Sequence, residues 1–246
     1  MKKFCVGVLI FACAMAQEHK SLTVAAAANL NDVFGEVATK FQAQTGISVV
    51  YSFGATANLT MQAEHGAPFD VFAAADVAHI DQLEKEGLLT AGSKALYARG
   101  RLVLWVPPGG RAHVERVEDL KSAEVKVVAI ANPKLAPYGA AAVESLRKLG
   151  LWSVVEPKVV YAESISAAKQ YAATGNADVA FTAYALVVKA DGKAISIPDD
   201  LHAPIDQAVG VLKSSAQQSE ARRFEEFLLG PAGREILARY GYELSR

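Results

Sequence analysis

Cysteine is nearly absent from this chain of 246 residues: there are two, Cys5 and Cys13, both within the first sixteen positions. Past that point no thiol nucleophile, thiolate metal ligand or disulfide is available. Long apolar runs are missing too. Phe4–Met15 is the longest near the start, and it is too short to span a bilayer. No Lys/Arg block occurs and the formal net charge is −1, which argues against a nucleic-acid footprint. His19, His65, His79, His113 and His202 are scattered without a metal-ligand spacing such as H-E-x-x-H. Neither a G-x-S-x-G elbow nor a phosphate-binding P-loop is present, so the usual hydrolase and nucleotide-dependent chemistries have no foothold, and no enzymatic activity is expected.

What is present begins with a targeting signature. Met1-Lys2-Lys3, the apolar run and Ala14-Met15-Ala16 have the form of a cleavable secretory signal over residues 1–16, with Gln17 the first mature residue. A lipid anchor with cleavage before Cys13 is the rival reading. The remainder is expected to be exported and soluble. With 52% apolar residues it has ample material for one or two cores.

The mature chain alternates strand and helix signals. Leu22–Ala28, Ile47–Phe53 and Asp70–Ala75 read as strands. The helices between and after them are Asn29–Lys40, closed at Gly46, then Ala57–His65 and Val77–Glu86. Lys94–Val106 is a long extended run that ends at Pro107-Pro108-Gly109-Gly110. A second alternating group follows, with strands at Val125–Ile130, Lys158–Tyr161, Ala177–Thr182 and Ala194–Ile197, and helices at Gly139–Leu149 and Ile165–Thr174. Asp206–Leu212 is extended, and Ser219–Leu229 and Pro231–Tyr240 are closing helices. Alternation of this kind implies sheets with parallel strands and helices on their faces. Two such groups joined by extended segments imply two α/β lobes with a crevice between them. No internal sequence repeat is visible.

Four strand-to-helix turns share one character: Ala28-Asn29-Leu30, Gly54-Ala55-Thr56-Ala57, Pro137-Tyr138-Gly139 and Glu163-Ser164-Ile165-Ser166. Ligands of open α/β sheets bind outside the carboxyl ends of strands, where such turns lie. The first turn of a helix offers unpaired N–H groups and a positive dipole end, which can hold an anion without a charged side chain. None of the four turns carries Lys or Arg. Uncharged donors suit an anion without a proton at neutral pH, such as sulfate, molybdate or tungstate, whereas phosphate keeps a proton and wants an acceptor. A plainer reading stands beside this one: Asn29 and Thr56 are also ordinary N-caps, worth about 1 kcal/mol each. Asp70, Asp76 and Asp178 read as caps or turn formers, since a carboxylate would repel an anion.

Six stretches carry a resemblance: VAAAANL (24–30), YSFGATANL (51–59), GAPFDVFAAAD (66–76), NPKLAPYGAAA (132–142), GNADVAF (175–181) and GPAGREILARYGY (230–242). In this order the chain resembles the periplasmic molybdate-binding proteins of ABC importers, which are type II periplasmic binding proteins. The resemblance implies an α/β fold with two mixed sheets flanked by helices and a ligand cleft between the lobes. It divides the chain into residues 17–98 with 204–246, and 99–203. It implies a periplasmic monomer that captures molybdate, and tungstate with it, and passes it to a membrane permease, without a cofactor and without a bare metal cation. Sulfate or a phosphonate is the alternative ligand. Carried over position by position, Asn29 and Thr56 give side-chain donors, and Tyr138 and Ile165 give backbone N–H groups. Ala28 falls where some relatives have a hydroxyl and could serve through its backbone. Tyr184 is the nearest match to a ligating tyrosine, offset by one position. Ferric-ion receptors share the architecture but use neighbouring tyrosines; Tyr240 and Tyr242 are read here as part of the C-terminal helix.

Overall fold

A computed structural model describes residues 21–110 and 112–244. The signal segment, with Cys5, Cys13 and Gln17, lies outside the described residues. The chain runs β1 (Ser21–Ala27), α1 (Asn31–Thr45), β2 (Ser48–Gly54), α2 (Thr56–Glu64), β3 (Val71–Ala73), α3 (Ala78–Lys85) and β4 (Ala95–Gly100). It continues β5 (Leu102–Val106), β6 (Val128–Ala131), α4 (Pro137–Lys148), α5 (Trp152–Val155), β7 (Val159–Ala162), α6 (Ile165–Ala173), β8 (Val179–Ala183) and β9 (Lys193–Ser196). It closes with β10 (Ile205–Val211), α7 (Gln218–Leu229) and α8 (Pro231–Arg239).

These strands form two five-stranded sheets, ordered β2-β1-β3-β10-β4 and β7-β6-β8-β5-β9. In the first, β1 runs parallel to β2 and β3, and β10 is antiparallel to β3 and β4. In the second, β6 runs parallel to β7 and β8, and β5 is antiparallel to β8 and β9. Each sheet is thus a parallel trio ordered second-first-third, followed by a strand that has come across from the other half. The two halves repeat one topology although no sequence repeat announces it. The run 94–106 is not one strand. It breaks at Arg101, so β4 ends in the first sheet and β5 begins in the second. The chain returns between β9 and β10.

The local reasons are ordinary. Val33, Phe34, Val37 and Phe41 give α1 one fully buried face, as helical spacing requires. Phe41 meets Phe224 of α7 edge-on at 5.3 Å, and Phe34 meets it at 6.1 Å, so the penultimate helix is pinned back on the first lobe. β6 and β8 are buried along their whole length, as parallel strands covered on both faces should be. Pro137 occupies the first position of α4, where its missing N–H costs nothing. A Cβ at Gly139 would overlap the Ala131 carbonyl. Glycine there lets the first turn of α4 sit directly on the end of β6, which places Tyr138.

Candidate functional site

The four turns lie at the carboxyl ends of β1, β2, β6 and β7. Ala28–Leu30 is a turn of 3-10 helix that leads directly into α1. It packs against α6 and against the short Tyr184–Leu186 turn from the other half. The Ala57 N–H, in the first turn of α2, donates to the Leu135 carbonyl at 3.1 Å, which brings the second turn against the third. A cleft of about 520 Å³ between the halves is lined by Ala28, Gly54, Ala55, Asn58, Ser164 and Ser166, among others. Among the described residues no Lys or Arg lines it, and exposed Glu163 is part of its lining.

The predicted ligand residues occupy this region unevenly. Asn29, Thr56, Tyr138 and Ile165 are buried, each 3% exposed or less, and do not themselves line the cleft. Ala28 reaches the cleft lining itself. By position, Thr56, Tyr138 and Ile165 stand in the first turns of α2, α4 and α6, so their N–H groups have no intrahelical acceptor. Tyr184 does not line the cleft. Its ring lies under the Arg101 guanidinium at 5.0 Å and against Gly241.

Two of the cap readings need correction. Asn29 does not cap α1; Ala27 precedes the 3-10 turn, and no side chain caps it. The Asn29 amide instead turns inward, where its Nδ2 donates to Gln207 Oε1 at 2.9 Å and to the Tyr242 hydroxyl at 2.8 Å. Thr56 is the first residue of α2, after Ala55 at the cap, and its Oγ1 accepts from the Ala75 N–H at 3.3 Å. Ser164 is a true N-cap and accepts from the Ala167 N–H at 3.2 Å. Of the acidic residues, Asp76 accepts from the His79 N–H three positions on, as a cap does, but Asp70 accepts from the Thr23 N–H, 47 positions away, and Asp178 from the Lys126 and Val127 N–H groups, 52 and 51 away, so these two join distant segments rather than cap a helix or form a turn. No group of three or more His, Cys, Asp or Glu side chains able to hold a metal ion is found among the described residues.

Sequence reasoning missed the supports of the site. Gln207 on β10 is fully buried and takes a hydrogen bond from the Tyr97 hydroxyl at 2.7 Å while its Nε2 donates to the Tyr138 hydroxyl at 2.9 Å. A lone amide in the apolar run Ile205–Val211 was the available signal. Tyr242 is not helical. α8 ends at Arg239, and the chain then folds back so that Glu243 pairs with Arg99 through both backbone bonds. That return carries the Tyr242 hydroxyl to Asn29. Burial pushes the hydroxyl pKa of Tyr97, Tyr138 and Tyr242 upward, so these groups stay neutral.

Residues 22–243 match the model for bacterial extracellular solute-binding proteins. The chain belongs to that family. Within the family it is similar to the molybdate-binding protein ModA of Rhodobacter capsulatus, at 41% identity covering 95% of this chain and 92% of that one. It is equally similar to ModA of Azotobacter vinelandii, at 41% identity over 97% and 95% of the two chains. The solved periplasmic molybdate-binding protein of Azotobacter vinelandii superposes with a TM-score of 0.87 at 33% identity, over 92% of this chain and all of that one. The sulfate-binding protein SubI of Mycobacterium tuberculosis, at 18% identity and a TM-score of 0.79, shares the fold. Family members bind solutes for import and are not enzymes.

Proposed function

We propose that this chain is a periplasmic receptor that captures molybdate, and tungstate with it, and delivers the ion to the membrane permease of an ABC importer. It acts as a monomer after removal of its signal segment and needs no cofactor. The lobes are residues 17–98 with 204–246, and 99–203, and they close on the ion about the two crossings. The observation that carries the reading is the meeting of strand-to-helix turns from both halves at one cleft that no basic side chain lines among the described residues, in a chain 41% identical to relatives named as molybdate-binding.

In this reading the oxyanion is held by N–H and O–H donors alone. Thr56 contributes its hydroxyl, Tyr138 and Ile165 their backbone N–H groups, and Asn29 its side chain. A hydrogen bond to a charged group contributes about 1.5–3 kcal/mol, and exclusion of water on closure strengthens it. Sulfate has the same charge and shape, so rejection of it rests on cavity size.

The test is a thermal melt of the mature protein, freed of carried-over ligand, with molybdate, tungstate, sulfate and phosphate in turn. A ligand at a hundred times its Kd adds about 2.7 kcal/mol, which for this length raises Tm by about 5–10 °C. Molybdate and tungstate are expected to do so. A rise with sulfate alone would overturn the ligand, and no rise with any of the four would overturn the anion site.

A further inference from the structure

The cleft presents an acid to its ligand and no base. Glu163 is part of the lining, and among the described residues no Lys or Arg is. In the proposed function, removal of residues 1–16 takes away Lys2 and Lys3, so the formal net charge goes from −1 to −3. A dianion then approaches a protein of its own sign, through an entrance that carries a carboxylate. Like charges slow such an encounter, and a cation held near the entrance reverses the effect.

Lys134 stands where that cation is needed. It lies between β6 and α4, three residues ahead of Pro137. Hydrogen bonds on either side of it fix its place. The Asn132 N–H donates to the Ala162 carbonyl at 2.8 Å, and Ala162 precedes Glu163 and Ser164 of the lining. The Leu135 carbonyl accepts from the Ala57 N–H at 3.1 Å, and Ala57 precedes Asn58 of the lining. The segment 132–135 thus touches both walls of the cleft, with Lys134 in its middle. Asn132 Oδ1 takes the Lys134 N–H at 3.0 Å, which holds the turn. The Lys134 side chain is exposed, and no carboxylate pairs with it among the described residues. By contrast, Arg101 lies over the Tyr184 ring, and Lys189 lies over Tyr240 and beside Glu36.

We propose that Lys134 is the steering residue of the anion cleft. Its ammonium draws the dianion to the entrance against Glu163 and the net charge, and takes no part in holding the bound ion. This rests on the reading that the cleft takes an oxyanion. It divides the work in two. The uncharged donors of the turns set how long the ion stays, and Lys134 sets how fast it arrives. A charge outside the site pulls equally on molybdate and sulfate, so it speeds capture without blunting a selection made by cavity size.

The test is stopped-flow fluorescence of molybdate binding to the mature protein at low ionic strength, where screening is weak. A unit charge about 10 Å from a dianion in water changes the encounter rate by about fourfold. Lys134→Gln is expected to slow association by about that factor and Lys134→Glu by about fifteenfold. Dissociation stays unchanged, both losses fade in high salt, and Lys134→Arg keeps the wild-type rate. Lys126→Gln is the control. Lys126 is exposed and precedes β6 at its amino end, away from the turns, so the same change of net charge there should alter association by less than about twofold. An unaltered association rate in Lys134→Glu overturns the proposal. A change confined to dissociation also overturns it, because Lys134 would then be a contact of the bound ion. So does equal slowing by Lys126→Gln, which would make net charge alone the cause. In each of these cases the oxyanion reading survives. If the wild-type protein binds none of molybdate, tungstate and sulfate, the oxyanion reading falls and the steering role falls with it.

Discussion

Gly100 shows how little room the buried polar group around Gln207 has. A Cβ there would overlap the Tyr138 hydroxyl and crowd Gln207 Nε2. Gly100 ends β4 just before the chain crosses to the second sheet, so the crossing passes against two members of the network. Gly100→Ala is therefore expected to cost about 2 kcal/mol through overpacking, a fall in Tm of about 4–8 °C. Tyr138→Phe removes the overlapped oxygen but leaves Gln207 Nε2 without its acceptor, which costs about 1–3 kcal/mol. The double variant should melt higher than the two single losses predict when added, because the second substitution relieves the first. Strict additivity would mean that the backbone, not the hydroxyl, sets the limit at Gly100. None of this was legible in the sequence. Asn29 is separated from Gln207 by 178 positions and from Tyr242 by 213, and no local pattern marks such pairings. The strand-to-helix turns were legible because a helix start has a local signature. The polar groups packed against Asn29 and Tyr138 were not, because they come from distant parts of the chain.

Elements were read from periodicity wherever one face of the segment is buried. α1, α4, α6, α7 and α8 were placed to within a few residues, and so were the parallel strands. The misreadings came where tertiary contacts override the local pattern. Ala28–Leu30 tightens into a 3-10 turn because it must pack against α6, and the run 94–106 divides at Arg101 because its halves pair in different sheets. The return segment between β9 and β10 has its own tie. The Ala203 N–H donates to Glu144 Oε2 at 2.9 Å, and Lys148 pairs with the same carboxylate at 3.1 Å. The Ala203 N–H first, and Lys148 second, hold the Glu144 carboxyl below its usual range. A carboxylate with a depressed folded pKa adds stability that is full above its unfolded value and is lost as pH falls through the folded one. Glu144 is half-exposed, so screening leaves about 0.5 kcal/mol, and Glu144→Gln should lower Tm by about 1–2 °C at pH 7. The deficit should shrink as the pH is taken below the carboxylate range. A deficit that persists unchanged in acid would assign the effect to packing along α4.

At the scale of the molecule, closure about a small ion needs contacts between the halves that lie away from the ion. One such contact sits beside the Tyr184–Leu186 turn. The Lys189 ammonium lies 4.0 Å from the centre of the Tyr240 ring and 3.9 Å from Glu36 on α1, while Arg239 pairs with the other oxygen of Glu36. Lys189 follows the last parallel strand of the second sheet, whereas Glu36 and Tyr240 belong with the first. An exposed cation–π contact and an exposed ion pair each contribute about 0.5–1 kcal/mol. Loss of the contact should therefore speed ligand release by about two- to fivefold. Charge alone offers a competing explanation, since removing a cation also weakens the field that draws in a dianion. The two are separable because the partners have opposite signs. Lys189→Gln and Glu36→Gln should both raise the dissociation rate of molybdate in stopped-flow fluorescence, with the increase fading in high salt. A long-range field would instead slow association in the first variant and quicken it in the second, leaving dissociation unchanged. Opposite shifts in the association rate alone would exclude Lys189 as a clasp between the lobes.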